Sequence, residues 1–126
     1  MKIDVNDPPR VFKVGLGEII QLKDCAHVHL EPDEQVTFLT ESGAEYDVAR
    51  KDWGFYATPS LNARLERFNL RGVMVKNRKV QYFILLIERG KEPLFRRYLD
   101  IEQLEIVTWM DSTEVLENFE QKVRAS

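Results

Sequence analysis

Hydrophobic and polar positions alternate early in the chain and then change period. Val36, Phe38 and Thr40 alternate with Gln35, Thr37, Leu39 and Glu41, and Tyr46 and Val48 alternate with Glu45 and Asp47 across Ser42-Gly43. A period of two predicts half-buried strands joined by a turn. Val11–Val14 and Glu18–Leu30 read as two earlier strands around Gly15-Leu16-Gly17, and Glu31 to Glu34 is a Pro- and Asp-set turn. Pro8 and Pro9 in the segment 6–10 argue against both helix and central strand there. The first fifty residues thus predict an antiparallel β-meander.

Helical spacing enters after residue 57. Pro59 suits a first turn with Thr58 as N-cap, and Leu61, Leu65 and Phe68 fall at i, i+4 and i+7 before Asn69, predicting a helix over 60–69. Gly72–Lys76 and Val80–Glu88 read as a hairpin about Asn77 to Lys79. Tyr82 to Ile87 is apolar on both faces, the pattern of a central strand covered twice. Pro93 opens a helix with Leu94, Phe95, Tyr98 and Leu99 inward, and Leu104–Met110 is a further strand. Asp111 to Glu114 resembles a capping box, followed by a terminal helix with Val115, Leu116, Phe119 and Val123 as its buried stripe. The expected fold is α+β, a meander followed by a β-β-α-β-α half; a small β-barrel with appended helices is the alternative.

Composition narrows the class. The chain has 126 residues, the size of one domain (1–126), with 44% hydrophobic and 31% charged residues. One cysteine, Cys25, permits no internal disulfide, and the N-terminus has no apolar leader-like run, so a cytoplasmic location is expected. No apolar run approaches the length of a bilayer span, so no membrane partner is expected. A net charge of −3 opposes nucleic-acid binding. Charge is uneven, however: residues 1–63 carry six Lys/Arg against eleven Asp/Glu, a net of −5, and residues 64–126 carry twelve against ten, a net of +2. Arg64, Arg67, Arg71, Lys76, Arg78 and Lys79 have only Glu66 among them, a patch suited to a small anion or an acidic protein surface.

Candidate chemistry concentrates between Lys51 and Lys79. Trp53 and Tyr56 offer flat faces, Ser60 and Asn62 polar groups, and Arg64, Arg67 and Arg71 guanidinium forks that hold phosphate or carboxylate. The competing reading makes Trp53, Phe55 and Tyr56 core residues and pairs the arginines with acids. His27, His29 and Glu34 give an HxHx4E spacing that resembles the first metal motif of cupin barrels, but no third histidine exists for the second. Cys25 lies two residues from His27, a thiol beside a base, and Asp47/Asp52 and Glu31/Glu34 are acidic pairs without a cleft legible in sequence. No GxGxxG, Walker loop, CxxC or GxSxG is present; no catalytic residue and no cofactor is implied.

The runs EQVTFLTESGAEYDVARKDWGFYATPSLNARL, FNLRGVMVKN and ERGKE, with WMDS near the end, resemble a family of small uncharacterised bacterial proteins. Genes for such proteins are often found among those for surface-polysaccharide and nucleotide-sugar metabolism. The resemblance covers almost the whole chain, with Tyr46–Leu65 its most distinctive block. It implies a biosynthetic context and an accessory or binding role toward an anionic sugar derivative or a partner enzyme. A metal-dependent enzyme of cupin type and a self-associating module, paired as a homodimer through the apolar edge at Leu104–Met110, are the other expectations.

Overall fold

The computed structural model describes residues 1–126. Its strands and helices run β1 (Lys2–Val14), β2 (Ile20–His29), β3 (Gln35–Leu39), β4 (Glu45–Lys51), β5 (Gly54–Tyr56), α1 (Arg64–Arg67), β6 (Leu70–Lys76), β7 (Tyr82–Glu88), α2 (Glu92–Glu102), β8 (Glu105–Trp109) and α3 (Thr113–Ala125). The fold is α+β: an antiparallel N-terminal meander and then β-β-α-β-α. The strands form three separate sheets, β1-β2, β3-β4-β5 and β7-β6-β8, and none closes into a barrel.

Both β7 and β8 lie antiparallel to β6 on its two sides. They therefore run parallel to each other, and α2 carries the chain across β6 between them. Because successive side chains alternate, one face of this sheet carries Val73, Val75, Leu85, Ile87, Ile106 and Trp109. Phe95 and Leu99 of α2 close that face into the main core. The other face carries Leu70, Gly72 and Leu86, against which Leu61 and Leu65 of the α1 region pack with Ala44 and Tyr46 of the meander. A Cβ on Gly72 would lie 3.0 Å from Leu61 Cδ2, so the bare backbone is what lets Leu61 seat on the sheet.

Four sequence expectations are corrected. Tyr82–Ile87 is not the doubly covered central strand; β7 is an edge strand, and the central position belongs to β6, which pairs on both sides. Apolarity on both faces reports what a strand can bury, and it is silent on which neighbours pair with it. The helix over 60–69 is one turn, Arg64–Arg67, with no side-chain cap from Thr58; Ser60 Oγ instead accepts the Arg64 N–H at 2.8 Å. Asn69 then takes φ 66°, a left-handed residue that ends the turn and releases β6. The terminal helix does form, capped by Ser112 accepting the Val115 N–H, but its stripe is only half-buried at Val115 and Leu116 and open beyond them, with Phe119 53% and Val123 56% exposed.

The fourth correction concerns where the first strand begins. β1 starts at Lys2, not Val11, and runs through Pro8 and Pro9 as an edge strand, so neither helix nor central strand forms at 6–10; the pairing with β2 breaks register between Val5 and Arg10 and asks little of the residues between. In this two-stranded ribbon Ile3 faces Val28, Val5 faces Ala26, Phe12 faces Leu22 and Val14 faces Ile20. Alternation puts all eight on one side, with Arg10 and Asp24 between them, while His27, His29, Cys25 and Lys23 take the other. Nearly every residue of the ribbon is exposed on both sides. It is fastened at its ends: Met1 bonds Glu34 at its base, and its tip docks on α2.

Candidate functional site

The Trp53–Arg71 residues do not converge on one cavity. Trp53 and Tyr56 flank the β4–β5 turn and are 68% and 52% exposed, so neither is core. Tyr56 pairs with Ala49 and so shares a sheet face with Asp47. Asp47 is buried and held from two sides, its carboxylate accepting Thr37 Oγ1 at 2.8 Å and Arg64 Nη2 at 3.0 Å. Arg64 also lies over the Phe68 ring, 5.0 Å from its centroid. Ser60 holds the α1 backbone, and Asn62 Nδ2 donates to Thr113 Oγ1 at 3.0 Å. Arg67 is exposed and forms no ion pair. Arg71 points to the α2 face of the central sheet, away from the α1 side. It lies 3.9 Å over Trp109 and donates from Nε to Asp111 at 2.6 Å.

The histidines stand on one side of the ribbon, but His29 Nε2 bonds Asp4 Oδ2 at 2.8 Å. Glu34 is engaged elsewhere: it accepts the Glu31 N–H and the N-terminal ammonium, and these bonds hold its carboxyl below the ordinary range. No group of three His, Cys, Asp or Glu side chains is arranged to hold a metal ion. Cys25 is exposed and its Sγ bonds the Lys23 carbonyl oxygen. Asp47 is committed to Thr37 and Arg64, and no hydrogen bond joins it to Asp52.

A roomier hollow than any around the Trp53–Arg71 residues lies elsewhere, between α2 and the turn joining β6 to β7. Its volume is about 520 Å³, within the range of small-molecule sites. Val75, Phe83, Leu85, Tyr98 and Leu104 form an apolar floor; Asn77, Arg78, Lys79 and Gln81 form the rim. A more polar hollow of about 470 Å³ continues round the same turn and shares Asn77, Arg78, Gln103 and Leu104. Asn77 builds the turn: its Oδ1 accepts the N–H of Lys79 and of Gln81, and its Nδ2 donates to Gln81 Oε1. This closure leaves Val80 at φ 59°, a left-handed conformation that a β-branched residue adopts only under constraint.

The electrostatics of this groove favour an anion. Lys76 is paired with Glu105 at 3.0 Å, a hydrogen bond that raises its pKa above the ordinary lysine range. Arg78 and Lys79 are exposed, and neither has a carboxylate within ion-pair distance. The acid nearest the floor, Glu102, is already occupied: its Oε2 accepts the N–H of Leu16 at 2.5 Å and of Gly17 at 3.3 Å from the ribbon tip. Arg97 and Glu18, 3.3 Å apart, reinforce the same junction. Leu16 thereby joins the groove wall from the far end of the chain. In sequence, Arg78 and Lys79 were visible as part of the basic patch. Tyr98 and Leu104 read as helix and strand residues, and only the crossover by α2 brings them beneath those cations.

No protein-family model, curated protein or solved structure matches this chain.

Proposed function

We propose that this protein is a non-enzymatic binding module for a small organic anion with a flat apolar body, held in the groove between α2 and the β6–β7 turn. One observation carries the reading: two unpaired cations, Arg78 and Lys79, overhang an apolar floor whose only acid is spent on backbone amides. The ring faces of Phe83 and Tyr98 suit a sugar or base, and the guanidinium of Arg78 suits phosphate or carboxylate. A phosphorylated sugar derivative, as the polysaccharide context suggests, satisfies both requirements.

Calorimetric titration with a nucleoside-diphosphate sugar, an aromatic carboxylate and inorganic phosphate tests this. At least one organic anion binds more tightly than phosphate alone, and Arg78→Ala and Lys79→Ala each weaken it about tenfold, the worth of one charge-assisted hydrogen bond. Absence of binding by all three, or binding that both variants leave unchanged, rejects the groove.

The exposed aromatic turn supports a second reading, an accessory surface for a partner enzyme. Trp53 and Tyr56 are exposed, Tyr56 on the sheet face that carries Asp47 and its partner Arg64, and Arg67 is unpaired nearby in the chain. An emission change on adding a candidate partner that disappears in Trp53→Phe, with Trp109 intact, supports it; a response that survives the substitution removes it.

A further inference from the structure

We propose that the chain assembles as a two-fold dimer in which the apolar sides of two β1–β2 ribbons pack on each other. A compact monomer of 14.8 kDa exposes about 7,000 Å². This chain exposes 9397 Å², roughly 2,400 Å² more than that expectation. The excess is spread over the chain, and the ribbon holds part of it: Ile3, Val5, Phe12, Val14, Leu22 and Val28 on its apolar side are 37–72% exposed. A standard interface takes about 800 Å² from each partner, the scale of one such side. A two-stranded ribbon is marginal in water by itself, and along most of its length this one leaves its apolar side open to solvent.

Charge identifies the occupant as a second copy. The apolar side carries one cation and one anion, Arg10 and Asp24, 3.3 Å apart at mid-length. A two-fold axis turns such a pair into its own complement, because Arg10 of each copy meets Asp24 of the other. The opposite side, with Lys2, Asp4, Lys23, His27 and His29, remains solvated. The contact lies away from the edge strand at Leu104–Met110 and leaves the anion groove to its own test.

Sedimentation of the full chain across micromolar concentrations tests the assembly. The expected mass is 29.6 kDa, twice the 14.8 kDa of one chain. Arg10→Asp alone and Asp24→Arg alone each raise the dimer dissociation constant at least about tenfold, by opposing like charges across the axis. Mixing these two variants restores a dimer, since Asp at 10 and Arg at 24 then complement each other between chains and not within one. A wild-type monomer throughout, or a dimer that neither substitution weakens and mixing does not favour, overturns the proposal. Should the charge variants fail to fold, cysteine trapping decides. In a Cys25→Ser background, Ala26→Cys on the apolar side cross-links under mild oxidation, and Lys23→Cys on the polar side does not. Equal trapping from both sides, or from neither, refutes the interface.

Discussion

Arg71 lies 3.9 Å above the ring of Trp109 while its Nε donates to Asp111 at 2.6 Å. Three parts of the chain, β6, β8 and the loop that leads into α3, are tied by that one side chain. The guanidinium stacks on an indole that itself meets Phe95 edge-on, with ring centroids 6.0 Å apart. Arg71→Ala removes the stacking and strands the Asp111 carboxylate, which is only 15% exposed. The expected loss of unfolding free energy is about 2–3 kcal/mol, measured by urea denaturation. Arg71→Lys recovers part of it, since an ammonium keeps the charge and loses the planar stack. Anion binding in the groove is unchanged in both.

Glu88 gives a pH signature. The Ser42 hydroxyl donates to its carboxylate, Thr40 adds a second hydroxyl, and Lys91 lies 3.2 Å away; together they lower its pKa from 4.5 to about 2. A carboxyl whose folded pKa is depressed contributes stability above its unfolded value, and that contribution is lost as pH falls toward the folded one. The loss therefore develops between about pH 4.5 and pH 2. Carbon NMR should place the Glu88 midpoint near 2, and Ser42→Ala should raise it. An ordinary midpoint in the wild-type protein would contradict the bond.

The ribbon tip is sensitive to a single methyl group. A Cβ on Gly17 would meet the Ile101 carbonyl oxygen at 2.5 Å and Ile101 Cγ2 at 2.7 Å, both on α2. Gly17→Ala should expel the tip, and Glu102→Ala should release it by removing its acceptor. In both variants the amides of Leu16 and Gly17 lose hydrogen-exchange protection, and limited proteolysis cuts within residues 15–18. Retained protection in Gly17→Ala would show the docking to be looser than this packing requires.

Val80 at φ 59° stores strain in the turn that presents Arg78 and Lys79. Val80→Gly relieves a left-handed β-branched residue at some cost in unfolded-chain entropy, a net stabilisation of about 0.5–1 kcal/mol by thermal or urea unfolding. A decrease in stability would mean that the exposed valine side chain makes contacts worth more than the relief.

What the sequence conveyed was local. Strands β2 to β4, the Pro93 helix and the strand before the Ser112 cap follow from period and punctuation and stand close to where those signals put them, whereas β1 begins nine residues before Val11 and β5 lies in the aromatic stretch that carried no strand signal. The arginine row misled for an identifiable reason. Spacing of three and four residues defines a stripe only while the helix continues, and Asn69 ends it before Arg71, which a strand then sends to the other side of the sheet. Strand order escaped too: Gly72 and two flanking cations make β6 look less like a centre than Tyr82–Ile87. Pairing partners are chosen by the whole chain and leave no mark in a single segment. The groove floor joins Val75 to Tyr98 and Leu104, residues whose nearness exists only after α2 has crossed.

The edge position of β7 carries its own consequence. Tyr82 to Ile87 presents six apolar residues in a row along a border with no strand beyond it, an open template for stray chains. Charged residues bracket the row, Lys79 before it and Glu88 and Arg89 after it, with Arg89 paired to Glu66 at 3.5 Å, and an incoming strand would have to desolvate them. Neutralising that bracket would favour fibrous precipitate over the folded chain long before it altered the fold.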